Sequence, residues 1–169
     1  NSYTSKTSSI CSTTDKQNIF TLRSSPEINK YLDRQPSKTI EDAINFINAI
    51  NNSIKKNDSL YWAITLTNSK TFVGTICLFD FSEEKNTCEI GYELLTDFQG
   101  QGIMIEAAEK IIDYVFETMK LQKIEAFTHI DSQHSTKLLE NLGFKKLTDV
   151  GTENPDYISF TLTNSVAVV

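Results

Sequence analysis

Asp97-Phe98-Gln99-Gly100-Gln101-Gly102-Ile103-Met104-Ile105-Glu106 is the stretch from which the rest of this chain is read. A strand-like run, Thr87 to Leu95, precedes it, and the strongest helical pattern in the sequence, Gly102 to Met119, follows it. Two glycines one residue apart therefore stand where a strand ends and a helix begins. The first turn of a helix has backbone N–H groups without partners, and the macrodipole adds partial positive charge there. Glycines remove the side chains that would hold a ligand off. The turn is a cradle for an anion, most often a phosphate.

The helix after the glycines has one wet stripe. At about 100° per residue, Glu106, Glu109, Lys110, Asp113, Glu117 and Lys120 fall within about 45° of one direction. The remaining positions, Tyr114 among them, are mostly apolar, which predicts a helix laid against a sheet. Upstream, the period is two. Leu60 to Leu66, Phe72 to Phe81 and Thr87 to Leu95 are apolar or β-branched runs separated by short polar turns, the pattern of an antiparallel meander. Runs that are apolar on both sides imply a sheet covered on both faces. Before the meander, Ile40, Ala43, Ile44, Ile47, Ile50 and Ile54 recur at helical spacing, with Thr39 and Asp42 placed as a capping box. Asp15 to Ser25 and a turn around Ile28, Tyr31 and Leu32 read as shorter helices interrupted by Pro26. Residues 1–14, rich in Ser and Thr, read either as a frayed terminus or as a first strand around Lys6 to Ser12 with Ile10 inward.

After the long helix come a fourth strand, Lys123 to Ile130, and a helix through Leu142 capped by Asp131 or Ser132 and stopped by Gly143. Strands over Phe144 to Val150 and Tyr157 to Thr163 close the chain. A strand, a helix and a further strand imply a parallel crossover at the glycine turn. The whole is a mixed α+β sheet without internal repeat.

At 169 residues one domain, 1–169, is the simplest reading. The net charge of −6 argues against non-specific nucleic-acid binding. Cys11, Cys77 and Cys88 show no CxxC spacing and read as free thiols of a reducing compartment. With only two histidines, His129 and His134, a histidine-rich metal site is excluded. No signal-peptide pattern and no apolar run near the roughly 20 residues of a membrane span is present, so the expectation is a cytoplasmic protein with no membrane partner. The chain begins at Asn1, so targeting information ahead of it is unreadable.

Three phosphate turns compete for the Gly100–Gly102 site. A Walker A loop needs Lys-Ser or Lys-Thr after the last glycine, which is absent. A dinucleotide fingerprint needs a third glycine where Ile105 stands, and a parallel unit where the meander stands. The third is the turn Q/R-x-x-G-x-G/A after an antiparallel strand. Gln99-Gly100-Gln101-Gly102-Ile103-Met104 resembles the acetyl-CoA pyrophosphate loop of the GNAT N-acetyltransferase superfamily. Glu89-Ile90-Gly91-Tyr92 before it and Ser135-x-x-Leu138-x-Glu140-Asn141-x-Gly143-Phe144 after it resemble the branch containing ribosomal-protein N-terminal acetyltransferases. Tyr61-Trp62-Ala63-Ile64 and Val73-Gly74-Thr75-Ile76 resemble that branch's earlier strands, so the likeness covers roughly residues 15–150. Two positions depart from the pattern: Met104 where the family has Gly or Ala, and Ser132 where it usually has Asn.

The resemblance implies the GNAT fold, a mixed, mostly antiparallel sheet with helices on both faces and an acetyl-CoA site at a splayed strand pair. Backbone groups of Leu94 and Leu95 are expected to pair with the pantetheine arm. The segment Gln99, Gly100, Gln101, Gly102, Ile103, Met104, Ile105 is expected to hold the pyrophosphate, and Ser132 to stand at a pantetheine contact. Acetyl transfer to an amine needs a base, because an ammonium cannot attack. Glu89 is the expected base and Glu93, on the same strand face, the runner-up. The tyrosine that many members use as acid is replaced by Leu139, so Ser135 is the expected acid, with Tyr92 read as core or substrate wall. The implied activity is direct N-acetylation of a primary amine, a protein N-terminus or a small molecule, by acetyl-CoA without a metal, in a monomer or homodimer. A non-catalytic acyl-CoA-binding module with the same fold is the alternative.

Overall fold

A computed structural model describes residues 5–9, 15–84, 86–147 and 154–164. In chain order the elements are β1 (Ser5–Ser9), α1 (Lys16–Ser24), α2 (Pro26–Asn29), α3 (Ile40–Lys55), β2 (Leu60–Leu66), β3 (Phe72–Phe79) and β4 (Thr87–Leu94). They continue with α4 (Ile103–Asp113), β5 (Lys123–His129), α5 (Gln133–Asn141), β6 (Lys145–Lys146) and β7 (Tyr157–Thr163). The strands form one seven-stranded sheet in the order β1-β2-β3-β4-β5-β7-β6. Every neighbouring pair is antiparallel except β4 and β5, which run parallel across the α4 crossover. This is the expected α+β architecture.

Helices cover both faces. Thr39 Oγ1 accepts the Asp42 N–H at 3.2 Å while Asp42 Oδ2 accepts the Thr39 N–H at 3.2 Å, so the capping box forms and starts α3 where the sequence puts it. Ala43 and Ile47 of α3 then pack with Ile19 and Leu22 of α1 against Tyr61, Ala63 and Phe72 of the sheet. On the opposite face, Ile103, Met104, Ala107, Ala108 and Ile111 of α4 pack on Ile64, Ile76, Leu78, Ile90 and Ile124. Strand residues alternate between these two cores, which is why each run is apolar on both sides. β3 passes close to β4 at Gly74, where an added Cβ would lie 2.2 Å from the Glu93 carbonyl oxygen.

Three expectations are corrected here. The helix predicted to Met119 is α-helical only to Asp113; Tyr114–Thr118 forms a π turn in which the Met119 N–H reaches the Tyr114 carbonyl at 3.0 Å. Tyr114, counted among the buried positions, is 40% exposed and meets the Trp62 ring edge-on at 6.1 Å. A regular 100° step does not anticipate an extra residue in the ladder, and a tyrosine is content with its hydroxyl in water. The strand expected over Phe144 to Val150 is confined to Lys145–Lys146, and residues 148–150 lie outside the described ones. At the start of the chain, Ser5–Ser9 pairs with β2; Ile10, Cys11 and Ser12 lie outside the described residues. Cys77 and Cys88 are free thiols. Among the described residues no helix is long and apolar enough to cross a membrane.

Candidate active site

The site begins where the sheet comes apart. The parallel ladder between β4 and β5 holds for three pairs, Thr87 with Lys123, Cys88 with Ile124 and Glu89 with Glu125. Beyond that, β4 stays on β3 as far as Leu94, and β5 stays on β7 as far as His129. A cleft of about 360 Å³ opens between them, lined on one side by Ile90, Tyr92, Leu94, Met104, Ser132 and Ser135, and on the other by Glu27, Tyr31, Phe79, Glu89, His129 and Tyr157. A second cleft of about 290 Å³ runs along the start of α4 past Gly100, Gly102, Ile105, Lys137 and Asn141. The two share Leu94, Met104, His134 and Leu138 as common wall.

The glycine turn has the conformation the sequence asks for. Gly100 and Gly102 have φ of +78° and +79°, the left-handed region that an L side chain enters at a cost of about 1–2 kcal/mol. Gly102 is the N-cap of α4 and supplies no side-chain cap. The first helical bond runs from the Glu106 N–H to the Gly102 carbonyl at 3.1 Å, so the amides of Ile103, Met104 and Ile105 have no acceptor in the helix. A Cβ at either glycine would meet nothing within 4 Å, so both face open space. Open space, unfilled N–H groups and a helix N-terminus fit a pyrophosphate. Gly102→Ala is expected to lower stability by about 1–2 kcal/mol and to weaken CoA binding severalfold, read by urea unfolding and by CoA titration.

Gln99 and Gln101 brace this turn. Gln99 Nε2 donates to the Leu94 carbonyl at 3.0 Å, and Gln101 Nε2 to the Asp97 carbonyl at 3.2 Å. Met104, 4% exposed, turns its side chain into the core between the clefts and leaves its amide at the helix start. Ser132 is the N-cap of α5, its hydroxyl making no capping bond, and it lines the larger cleft. Leu95 is a correction. Its N–H donates to the Val73 carbonyl at 2.8 Å and its carbonyl accepts the Phe98 N–H at 2.9 Å, so neither group faces the gap. Strand alternation instead turns the amides of Ile90, Tyr92 and Leu94 away from β3 and toward the opening.

The two glutamates of β4 have different surroundings. Glu89 is half-buried at the closed end of the cleft. Its carboxyl is pushed up to about 8, first by burial, then by a hydrogen bond with Asp80, and finally by the charges of Asp80 and Glu125. Glu93 is ion-paired with Arg34, both largely buried. Burial raises Glu93 while the guanidinium groups of Arg34 and Arg23 oppose the rise. Arg34 Nε also donates to Asn29 Oδ1 at 2.7 Å, which ties the segment after α2 to β4. The runner-up base thus has its carboxylate engaged by a guanidinium.

On the α5 side, the hydroxyls of Tyr92 and Ser135 lie 2.6 Å apart. Burial pushes the Tyr92 hydroxyl up to about 12, against the opposing bond to Ser135. The reading of Tyr92 as a passive wall therefore misses its partner. Leu139 is fully buried. Several residues were not read as part of the site: the cleft residues Lys137, Tyr31, His129 and Tyr157, and Asp80, the partner of Glu89. Lys137 carried a signal, a basic residue two after Ser135 in an acidic chain. The aromatic three, far apart in sequence, carried none. Among the described residues no group of three His, Cys, Asp or Glu is placed to hold a metal ion.

A family profile described as acetyltransferase (GNAT) domain matches residues 10–145. The N-acetyltransferase p20 of Bacillus licheniformis is 33% identical over 124 residues, 73% of this chain and 69% of that one. The N-acetyltransferase YoaA of Bacillus subtilis is 28% identical over 132 residues, 78% of this chain and 75% of that one. Among solved structures, a ribosomal-protein-S5-alanine acetyltransferase of Vibrio fischeri superposes with a TM-score of 0.78 at 21% identity, over 95% of this chain and 93% of that one. A spermidine N-acetyltransferase of Vibrio cholerae, solved with CoA and spermine, superposes with a TM-score of 0.80 at 17% identity, over 95% and 96%.

Proposed function

Because the chain belongs to the GNAT acetyltransferase family and is an acetyl-CoA-dependent N-acetyltransferase, we propose that it acetylates a primary amine by direct transfer, with Glu89 as the base. The acceptor is a protein N-terminal amine or a small amine, the two classes named for the Vibrio proteins of like fold. The observation that carries this reading is the position of Glu89, a carboxyl with pKa near 8 at the closed end of the cleft between the splayed strands.

Acetyl-CoA supplies the acetyl group as an activated thioester. The amides of Ile103, Met104 and Ile105, with Lys137 beside them, would hold its pyrophosphate, and the outward amide of Leu94 would pair with its pantetheine arm. The acceptor enters from the Glu27 and Tyr31 side and brings a protonated nitrogen. The Glu89 carboxylate takes that proton. A base near 8 is matched to an ammonium far better than an ordinary glutamate near 4.3. On the opposite wall, the Tyr92 hydroxyl, held by Ser135, donates a hydrogen bond toward the departing sulfur. Relatives named as acetyltransferases lend no support to the non-catalytic module.

The test is thiol release from acetyl-CoA across a panel of amines and N-terminal peptides, alongside thermal shift with CoA. CoA at 100 times its Kd should stabilise the fold by about 2.7 kcal/mol. Stabilisation by CoA with no thiol release for any acceptor, in a panel spanning α-amines, diamines and aminoglycosides, would sink the reading.

A further inference from the structure

The acceptor wall of the cleft has a chemistry that the transfer step does not use. The His129 ring stands between two tyrosines, with centroids 5.1 Å from Tyr31 and 5.5 Å from Tyr157. Tyr157 Oη donates to the Tyr31 carbonyl at 3.3 Å, which fixes β7 against the segment after α2. His129 Nδ1 accepts the Asp131 N–H at 3.1 Å, so the neutral ring carries its proton on Nε2. All three rings line the cleft. The lining also includes Glu27, Glu89 and Glu93 but no lysine or arginine, and Glu93 is neutralised by Arg34. Among the described residues, Glu27 and Glu89 therefore share the lining with the aromatic wall while no lysine or arginine does.

The surroundings have the same sign. The charges of Asp33 and Asp156 act on Tyr157, and Asp131 Oδ2 lies 3.8 Å from His129 Nδ1. The opposing charge is Lys30, whose Nζ lies 5.2 Å from the Tyr31 ring centroid. Lys30 is exposed and outside the lining, yet it shows the Tyr31 ring already holding an ammonium at cation–π distance. The same lining carries the apolar Leu32, Phe79 and Phe127, with Leu32 and Phe127 exposed. An aromatic cluster, apolar lining and Glu27 in one cleft suit a molecule that carries a second cationic group on a hydrocarbon chain, besides the amine whose proton Glu89 takes.

We infer that Tyr31, His129 and Tyr157, with Glu27, form a distal cation subsite, and that the preferred acceptor carries a second positive charge joined by methylenes to the amine that is acetylated. This rests on the amine-acetylating reading and narrows its acceptor. A small diamine has this chemistry, and a peptide N-terminus followed by lysine carries the same second charge on the lysine methylenes beyond a peptide bond.

Equilibrium binding tests it without relying on turnover. CoA-saturated protein is titrated calorimetrically with 1,4-diaminobutane and with butylamine, and in a second arm with Ala-Lys amide and Ala-Gln amide. At least one dication should bind about tenfold tighter than its singly charged match, and the arm in which it does identifies the source. Glu27→Gln, at an exposed position, and Tyr31→Leu should each abolish most of that preference while leaving the singly charged ligand unchanged; Lys30→Met should sharpen it. Equal binding within both pairs overturns the subsite even if acetylation proceeds. Tight dication binding without acetylation leaves the subsite standing and overturns the transfer reading instead.

Discussion

Replacing Glu89 with glutamine is expected to lower kcat/KM for acetyl transfer by about a hundred- to a thousandfold, with CoA affinity unchanged. The substitution keeps the volume and removes the proton acceptor. The pH profile is the sharper reading. Glu89 works as a carboxylate, and with its carboxyl pushed up to about 8 it is mostly protonated at pH 7. In the unsubstituted protein kcat/KM should therefore rise with pH through about 8 and then level. With an alkylamine acceptor, whose ammonium titrates at about 10, the acceptor's limb should survive in Glu89→Gln while the limb near 8 vanishes. Since kcat/KM reports groups of the free enzyme, occupancy of the cleft does not blur the comparison. An unchanged profile in the variant would remove Glu89 from the chemistry.

Glu93→Ala is expected to be the most destabilising of these changes. It strips the partner from Arg34 and leaves two guanidinium groups, Arg34 and Arg23, facing each other in a largely buried setting. Arg23 Nε and Arg34 Nη2 already lack hydrogen bonds there. Breaking a buried pair from one side costs about 3–5 kcal/mol, which for a chain of this size lowers Tm by roughly 6–20 °C. Urea unfolding measures it. The double replacement Glu93→Leu with Arg34→Met should recover at least half of the loss, because no charge is then stranded. If Glu93 were instead the base, Glu93→Gln would cut turnover at full stability.

The elements were legible where a local rule had no competitor. Thr39 and Asp42 mark the start of α3 because each end of the capping box is a few residues from the other. Gly100 and Gly102 mark the strand-to-helix turn because little but glycine sits easily at those φ values. The β2 to β4 meander was legible because the side-chain period of two is strict. The site was legible on its glycine side and dim elsewhere. The engagement of Glu93 by Arg34 joins β4 to the segment after α2, and nothing near Glu93 in sequence forecasts a guanidinium beside it. The bond between Tyr92 and Ser135 spans 43 positions. The turned-away backbone of Leu95 depends on which amides β3 claims, and alternation settles that only once the register with Val73 is known. The π turn at Tyr114 escapes any count made at a fixed angular step.

The three rungs that join β4 to β5 give the cleft a vertex. Everything between β1 and β4 forms one wedge of sheet, β5 to β7 the other, and the ladder between them ends at Glu89 and Glu125. That last rung sets two carboxyl groups side by side, and the charge of Glu125 is one of the causes that lift Glu89. Like charges so placed disfavour one another's ionised form and one another's approach. Burial and Asp80 do most to lift Glu89, and the Glu125 charge at the last rung of the ladder adds to them, so part of the basicity at the apex comes from the place where the sheet parts.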